Sequence, residues 1–226
     1  MSSQAADEVM PGRLGDSPTS TRRTAGRVVA PNLPVVTSQL SFFTAGTQPP
    51  AVADLEGLLL GTGQVVRMGG TARLSVVVPA DDWRPTALLQ AYAARGLHGE
   101  RTEAVDGQIS VRTPFSRQLL PVAQRWARGA MKAIPPRWLL DGPRLRMWAI
   151  STGQADAHGY LFRLAASDAG VWEPAGAALA AAGLAATFLG PRGGGPAYRI
   201  VGRRRLARLR EYVGEPPPGA LPPDWP

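Results

Sequence analysis

From residue 52 onward the apolar positions of this chain keep one of two periods, and the periods alternate. Leu55, Leu58, Leu59 and Leu60 form a short apolar helical stripe that stops at Gly61-Thr62-Gly63. Residues 64–68 and 71–78 then read as a hairpin across Gly69-Gly70, with Leu74, Val76 and Val78 on one face and Arg73, Ser75 and Val77 on the other. Asp81 or Asp82 is positioned to cap a helix running through Leu88, Leu89, Tyr92 and Leu97. A second hairpin, 100–105 with 108–113, flanks the two-residue turn signal Asp106-Gly107; Ile109 and Val111 point inward, Gln108, Ser110 and Arg112 outward. A helix over 115–128 closes this unit. The same order follows again: a helix over 145–152, strands near Gln154 and over 160–165, an Ala-rich helix over 171–182, strands over 185–189 and 198–201 around a Gly-Pro loop, and a helix over 203–213. Two units of αββαββα order predict an α+β fold with antiparallel sheets and helices on one face of each.

The repeat sharpens at the two short helices. The first reads Leu55-Glu56-Gly57-Leu58-Leu59-Leu60-Gly61-Thr62-Gly63 and the second Leu145-Arg146-Met147-Trp148-Ala149-Ile150-Ser151-Thr152-Gly153. Gly57 and Gly61 lie one helical turn apart, a spacing that lets two backbones approach closely, so the copies are expected to pack together at a pseudo-twofold axis. On pattern alone they read equally well as ordinary core helices with C-terminal Gly caps.

Composition narrows the classes. The 226 residues are 44% hydrophobic, enough for a real core. With 25 Lys and Arg against 17 acids, the net charge is +8 and the pI near 11, which favours an anionic partner; an Arg-rich, high-GC composition produces the same bias. Cysteine is absent, which excludes disulfides, thiolate zinc sites and Cys nucleophiles. His98 and His158 stand alone beside glycines and read as loop residues. No apolar run reaches the roughly 20 residues of a membrane span, and no charged-then-apolar leader opens the chain, so a cytoplasmic, non-membrane protein is expected. Residues 1–50 are expected to be a mostly disordered extension, in which Arg22, Arg23 and Arg27 read as a solvated tail in preference to a basic arm on phosphate, and Leu40, Phe42 and Phe43 as a docking stretch. Residues 215–226 read as a Pro-rich tail.

The nonapeptide at 55–63, the run Lys132-Ala133-Ile134-Pro135, the spacing Leu145-x-x-Trp148-x-x-x-x-Gly153 and the helix and hairpin order over 51–214 together resemble the LAGLIDADG homing endonucleases, in the monomeric form with two fused repeats. The resemblance implies a first repeat at 51–142 and a second at 143–214, forming a saddle of antiparallel sheets on the DNA major groove with the signature helices as the seam. It also implies an acidic penultimate residue in each nonapeptide, which holds a divalent metal against the scissile phosphates. This chain carries Thr62 and Thr152 there, and Leu60 and Ile150 at the other acidic position. Asp54, Glu56, Asp141 and Asp156 read as solvated or turn residues and are not expected to replace the lost acids.

The expected function is therefore binding of double-stranded DNA without strong nuclease activity, by a monomer, with no catalytic residue and no cofactor. Arg73, Ser75, Gln108, Ser110, Arg112, Gln154, Arg163 and Arg199 are the candidate contact residues. The alternatives are a homing-type endonuclease that uses Mg²⁺ through displaced carboxylates, an RNA-binding maturase-like protein, and a protein-interaction scaffold whose charge reflects composition alone. Intein splicing is excluded, because neither Cys nor a C-terminal His-Asn pair is present.

Overall fold

In a computed structural model of the protein, residues 48–103, 105–129, 131–221 and 224–226 are described; the expectations for residues 1–47 lie outside them. The chain enters on a helical segment, Val52–Leu60, wound as a 3-10 helix where the periodicity predicts an α-helix. Its bonds Asp54 N to Ala51 O and Gly61 N to Leu58 O span three residues rather than four. Every residue from Asp54 to Leu60 is buried, so tertiary packing rather than intrinsic propensity holds it in place.

β1 (Gln64–Met68) and β2 (Thr71–Pro79) form the first hairpin, whose turn places Gly69 at φ +57°. Helix α1 (Arg84–Ala93) starts at Trp83 without a side-chain cap. The expected cap, Asp82, instead accepts from the Trp83 amide and pairs with Arg84. Leu97 lies beyond the helix end, after Gly96 at φ +68°. β3 is only Glu100–Arg101, and β4 is Gln108–Arg112. Asp106 and Gly107 between them take φ values of +52° and +71°, the left-handed pair that a two-residue hairpin turn demands.

The single helix expected over 115–128 is divided. Ser116 caps a 3-10 turn at Arg117–Leu119, and α2 (Leu120–Trp126) begins with Pro121 in its first turn, where a missing amide costs nothing. A two-stranded ladder, β5 (Ala127–Arg128) with β6 (Met131–Lys132), follows. α3 (Gly142–Thr152) contains the second nonapeptide and is capped by Asp141, whose carboxylate accepts the Arg144 amide at 3.0 Å. The second half continues through β7 (Gly153–Asp156), β8 (Gly159–Arg163), α4 (Ala169–Ala181), β9 (Thr187–Leu189), β10 (Ala197–Ile200) and α5 (Arg203–Val213).

Both four-stranded sheets are fully antiparallel and share one connectivity, β1-β2-β4-β3 and β7-β8-β10-β9. The alternation along β2 and β4 buries Leu74, Val76, Val78 and Val111 in a core that Tyr160, Phe162, Tyr198 and Ile200 of the second sheet also join. The tail is not loose at its end. Trp225, 6% exposed, meets Trp83 edge to face, and its indole N–H donates to Gly214 O at 2.8 Å. Among the described residues no helix is long and apolar enough to cross a membrane.

Candidate nucleic-acid interface

Strand register decides which side chains share a face. In the first sheet Gln64 lies opposite Ser75 and Val66 opposite Arg73, while Ser75 lies opposite Arg112, Val77 opposite Ser110 and Pro79 opposite Gln108. Arg73, Ser75, Gln108, Ser110 and Arg112 therefore stand together on the face away from the core. In the second sheet Gln154, Leu161, Arg199 and Thr187 form one cross-strand row, and Arg163 is two residues along β8 on the same side.

The charge on these faces is partly cancelled in place. Arg112 pairs with Glu100 of the neighbouring strand at 2.7 Å, and Arg199 with Asp156 at 2.8 Å. Burial works against the Asp156 carboxylate, but the His158 amide and the Arg199 guanidinium outweigh it and hold its pKa below the usual range. Arg73 lies over the Phe115 ring, 4.8 Å from its centroid, and Arg163 donates to Gly194 O and Gln154. Neither forms an ion pair among the described residues, so these two carry the uncompensated charge of the faces. Val66, Met68 and Val77, 48%, 59% and 46% exposed, add apolar surface between the arginines of the first sheet.

The seam between the nonapeptides is tight. A Cβ on Gly57 would sit 1.8 Å from Arg144 O, and one on Gly61 2.7 Å from Thr152 Cγ2. The two threonines are engaged in matching fashion. Thr62 Oγ1 donates to Val77 O at 3.0 Å and Thr152 Oγ1 to Arg163 O at 2.8 Å. Since Gln64 faces Ser75 and Gln154 faces Leu161, these acceptors occupy equivalent places, each two residues further along its strand.

At the foot of each signature helix sits a cation from elsewhere in the chain. Lys132 Nζ donates to Gly61 O at 3.0 Å and Gly63 O at 2.8 Å, and pairs with Asp168 at 2.9 Å; Gln64 Nε2 also donates to Asp168. Burial pulls the Lys132 pKa down and Asp168 opposes it. At the second helix Arg84 donates to Gly153 O and pairs with Asp82. Cations here meet the negative end of the helix and its unpaired carbonyls. A divalent metal, which the resemblance of the nonapeptides implies at this place, does not fit the donor set: the oxygens of Gly61, Gly63 and Asp168 surround an ammonium, and both hydroxyls donate to backbone. Among the described residues no three His, Asp or Glu side chains converge on a metal-sized site elsewhere.

Of the acids read from sequence as solvated or turn residues, Asp54 and Glu56 are buried, while Asp141 and Asp156 stand at a helix start and a hairpin turn. Glu56 is 0% exposed and accepts from Arg125, from Trp138 Nε1 at 2.8 Å and from Arg144 Nε at 3.2 Å. Asp54 is buried against Arg95 at 2.7 Å, Asp141 caps α3, and Asp156 pairs with Arg199. Each carboxylate is held by an arginine distant in sequence or by a helix start, which local pattern does not reveal. The sign available in the sequence was an acid inside an apolar nonapeptide whose whole circumference must be buried.

No family model matches the chain, and no curated protein does. Among solved structures, the homing endonuclease I-WcaI bound to its DNA recognition sequence aligns over 82% of this chain and 89% of its own, at 11% identity and a TM-score of 0.54. Mesophilic variants of the homing endonuclease I-DmoI align over 71% of this chain and 93% of theirs at 13% identity and a TM-score of 0.43. I-DmoI in complex with DNA and Mn aligns over 72% and 96% at 13% identity and a TM-score of 0.42. The likeness to I-WcaI is one of fold: at 11% identity and over 82% of its length, the chain shares the architecture of that homing endonuclease, the LAGLIDADG fold that its paired nonapeptides resemble.

Proposed function

We propose that this protein binds double-stranded DNA along the outward faces of its two sheets, as a monomer, and does not cut it. The observation that carries the reading is the foot of the seam. There Lys132 and Arg84 hold the helix carbonyls, and the Thr62 and Thr152 hydroxyls donate to Val77 O and Arg163 O. An ammonium amid the carbonyl oxygens repels a divalent ion, while the guanidinium groups of Arg73 and Arg163 on the sheet faces remain free of carboxylates and suited to phosphate.

Support for duplex DNA comes from the fold shared with I-WcaI, itself a homing endonuclease bound to its DNA recognition sequence, and from the net charge of +8. The first sheet's outer face sets the uncompensated Arg73 among Ser75, Ser110, Gln108 and exposed Val66 and Val77, and the second carries Arg163. Few bidentate donors reach base edges, and each supplies only about 1 to 3 kcal/mol of discrimination, so affinity is mainly phosphate-derived and sequence preference modest. The test is a gel shift at two salt concentrations beside an incubation of the protein with supercoiled plasmid and Mg²⁺ or Mn²⁺. Salt-sensitive, chelator-insensitive binding with intact plasmid is expected. Chelator-sensitive nicking or linearisation overturns the non-cutting reading, and preference for RNA of equal length overturns the choice of polymer.

A further inference from the structure

Among the described residues, the largest concentration of unpaired charge lies off the sheet faces, at the start of α5. Arg203, Arg204 and Arg205 occupy the first three positions of that helix, and all three are exposed. None forms an ion pair among the described residues; Arg205 donates only to Val201 O at 3.3 Å. No acidic residue stands in the first turn, and Gly202 before it supplies no side-chain cap. Cations here oppose the helix dipole, so the stability of α5 does not account for them. The buried side of the helix, Leu209, Tyr212 and Val213, already anchors it to the core.

Their position in the fold is equally specific. β7 leaves the foot of the seam at Gly153 and runs outward to Asp156, and β10 returns alongside β8 to end at the same tip. A Cβ on Gly159, in that tip, would meet Ile200 O at 2.1 Å and Val201 Cγ1 at 3.3 Å. α5 thus begins at the end of the second sheet farthest along its strands from the seam. Successive helical positions turn by about 100°, so the trio covers roughly 200° of the helix circumference. The corresponding place in the first half, the 3-10 turn at Arg117–Leu119, carries a single arginine, Arg117, behind the capping Ser116.

We infer that Arg203, Arg204 and Arg205 form a second phosphate-binding surface, which holds duplex DNA flanking the stretch on the sheets and makes the footprint longer on the side of the second half. This rests on the DNA-binding reading above. The test compares the protein with the triple variant R203Q/R204Q/R205Q in salt titrations of binding to random-sequence duplexes, one short enough to cover the sheets only and one longer. On the long duplex, each lost phosphate contact lowers the slope of log K against log salt by about 0.9, so the variant is expected to lose about 2.7. On the short duplex the two proteins are expected to agree, and R203K/R204K/R205K to behave like the parent on both. Far-UV circular dichroism and melting are expected to be unchanged or improved, since the repulsion from the helix dipole is relieved. If the parent binds DNA and the triple variant keeps its slope on the long duplex, the inference fails while the DNA-binding reading stands. If the parent does not bind duplex DNA at about 50 mM salt, both fail.

Discussion

Alanine at Gly57 tests the seam on which both halves depend. In a helix with free surroundings, Gly to Ala is stabilising by about 1 kcal/mol, because glycine gives up more backbone freedom on folding. The geometry here reverses the sign. The new methyl carbon would lie 1.8 Å from Arg144 O, 2.6 Å from its carbonyl carbon and 3.0 Å from its Cα, whereas ordinary contact begins near 3.4 Å. All three atoms are backbone within α3, so no side chain can rotate away. The two helices must part by roughly 1.5 Å, and a gap of that size forfeits much of the dispersion between Leu55, Leu58, Leu145 and Trp148. Overpacking of this kind costs about 1 to 3 kcal/mol, and backbone against backbone falls at the upper end. For a chain of this length that is a fall in melting temperature of roughly 6 to 12 °C. At Gly61 the nearest atoms belong to the Thr152 side chain, at 2.7 and 2.9 Å, so G61A is milder, about 1 kcal/mol for a disturbed Thr152 hydrogen bond, and T152S relieves part of it. The assay is urea unfolding of parent, G57A, G61A and G61A/T152S. A G57A protein as stable as the parent, or more so, would show that the signature helices do not cross at this residue.

Three further outcomes follow from the same geometry. K132M removes the ammonium that satisfies Gly61 O, Gly63 O and Asp168, and breaking a buried pair from one side is expected to cost about 3 kcal/mol in denaturant unfolding; K132M/D168N together should cost less than the two singly, and strict additivity would refute the coupling. R73A/R163A, which removes the two uncompensated guanidinium groups of the sheet faces, is expected to lower the salt slope of DNA binding by about 1.8, and R112A/R199A, whose partners Glu100 and Asp156 already offset them, by less; the reverse order would dismiss the pairing argument. The Asp156 pKa is lower folded than unfolded, so its contribution is complete above the ordinary aspartate value near 3.9 and is lost as pH falls through the folded value. Acid melting curves of D156N should lack that component, and superimposable parent and D156N curves would remove it.

The DNA-binding and metal questions meet in the two halves' different use of one plan. The strand order is common to both sheets, and Thr62 and Thr152 bond to equivalent carbonyls. The cations at the helix feet are not equivalent: Lys132 comes from the ladder after α2, and Arg84 from the start of α1. Two different side chains thus solve the same electrostatic problem, the exposed carbonyls at a helix end.

Much of the architecture was legible because it depends on near neighbours. The two-residue period over Thr71–Pro79 and Gln108–Arg112 assigned Leu74, Val76, Val78 and Val111 to the core and Arg73, Ser75, Ser110 and Arg112 to one outer face, since successive strand side chains must alternate. Asp106-Gly107 specified its turn because few residue pairs tolerate two positive φ values in succession. Helix extents were less legible: Pro121 and the capping Ser116 divided the run at 115–128, and Val52–Leu60 winds as a 3-10 rather than an α-helix. The charged groups were decided by tertiary structure alone. Glu56 is buried because Arg125, Arg144 and Trp138 converge on it, and Lys132 reaches the first signature helix only after the chain has passed through both hairpins and α2. Arg112 and Arg199 share a face with the other candidates as the alternation requires, but their neutralisation depends on the sheet order, which sets Glu100 on the strand beside Arg112 and Asp156 two strands from Arg199. Hydrophobic periodicity reports which side of an element leaves water; it carries no record of which distant charge will be waiting there, because chain closure brings that partner from far along the sequence.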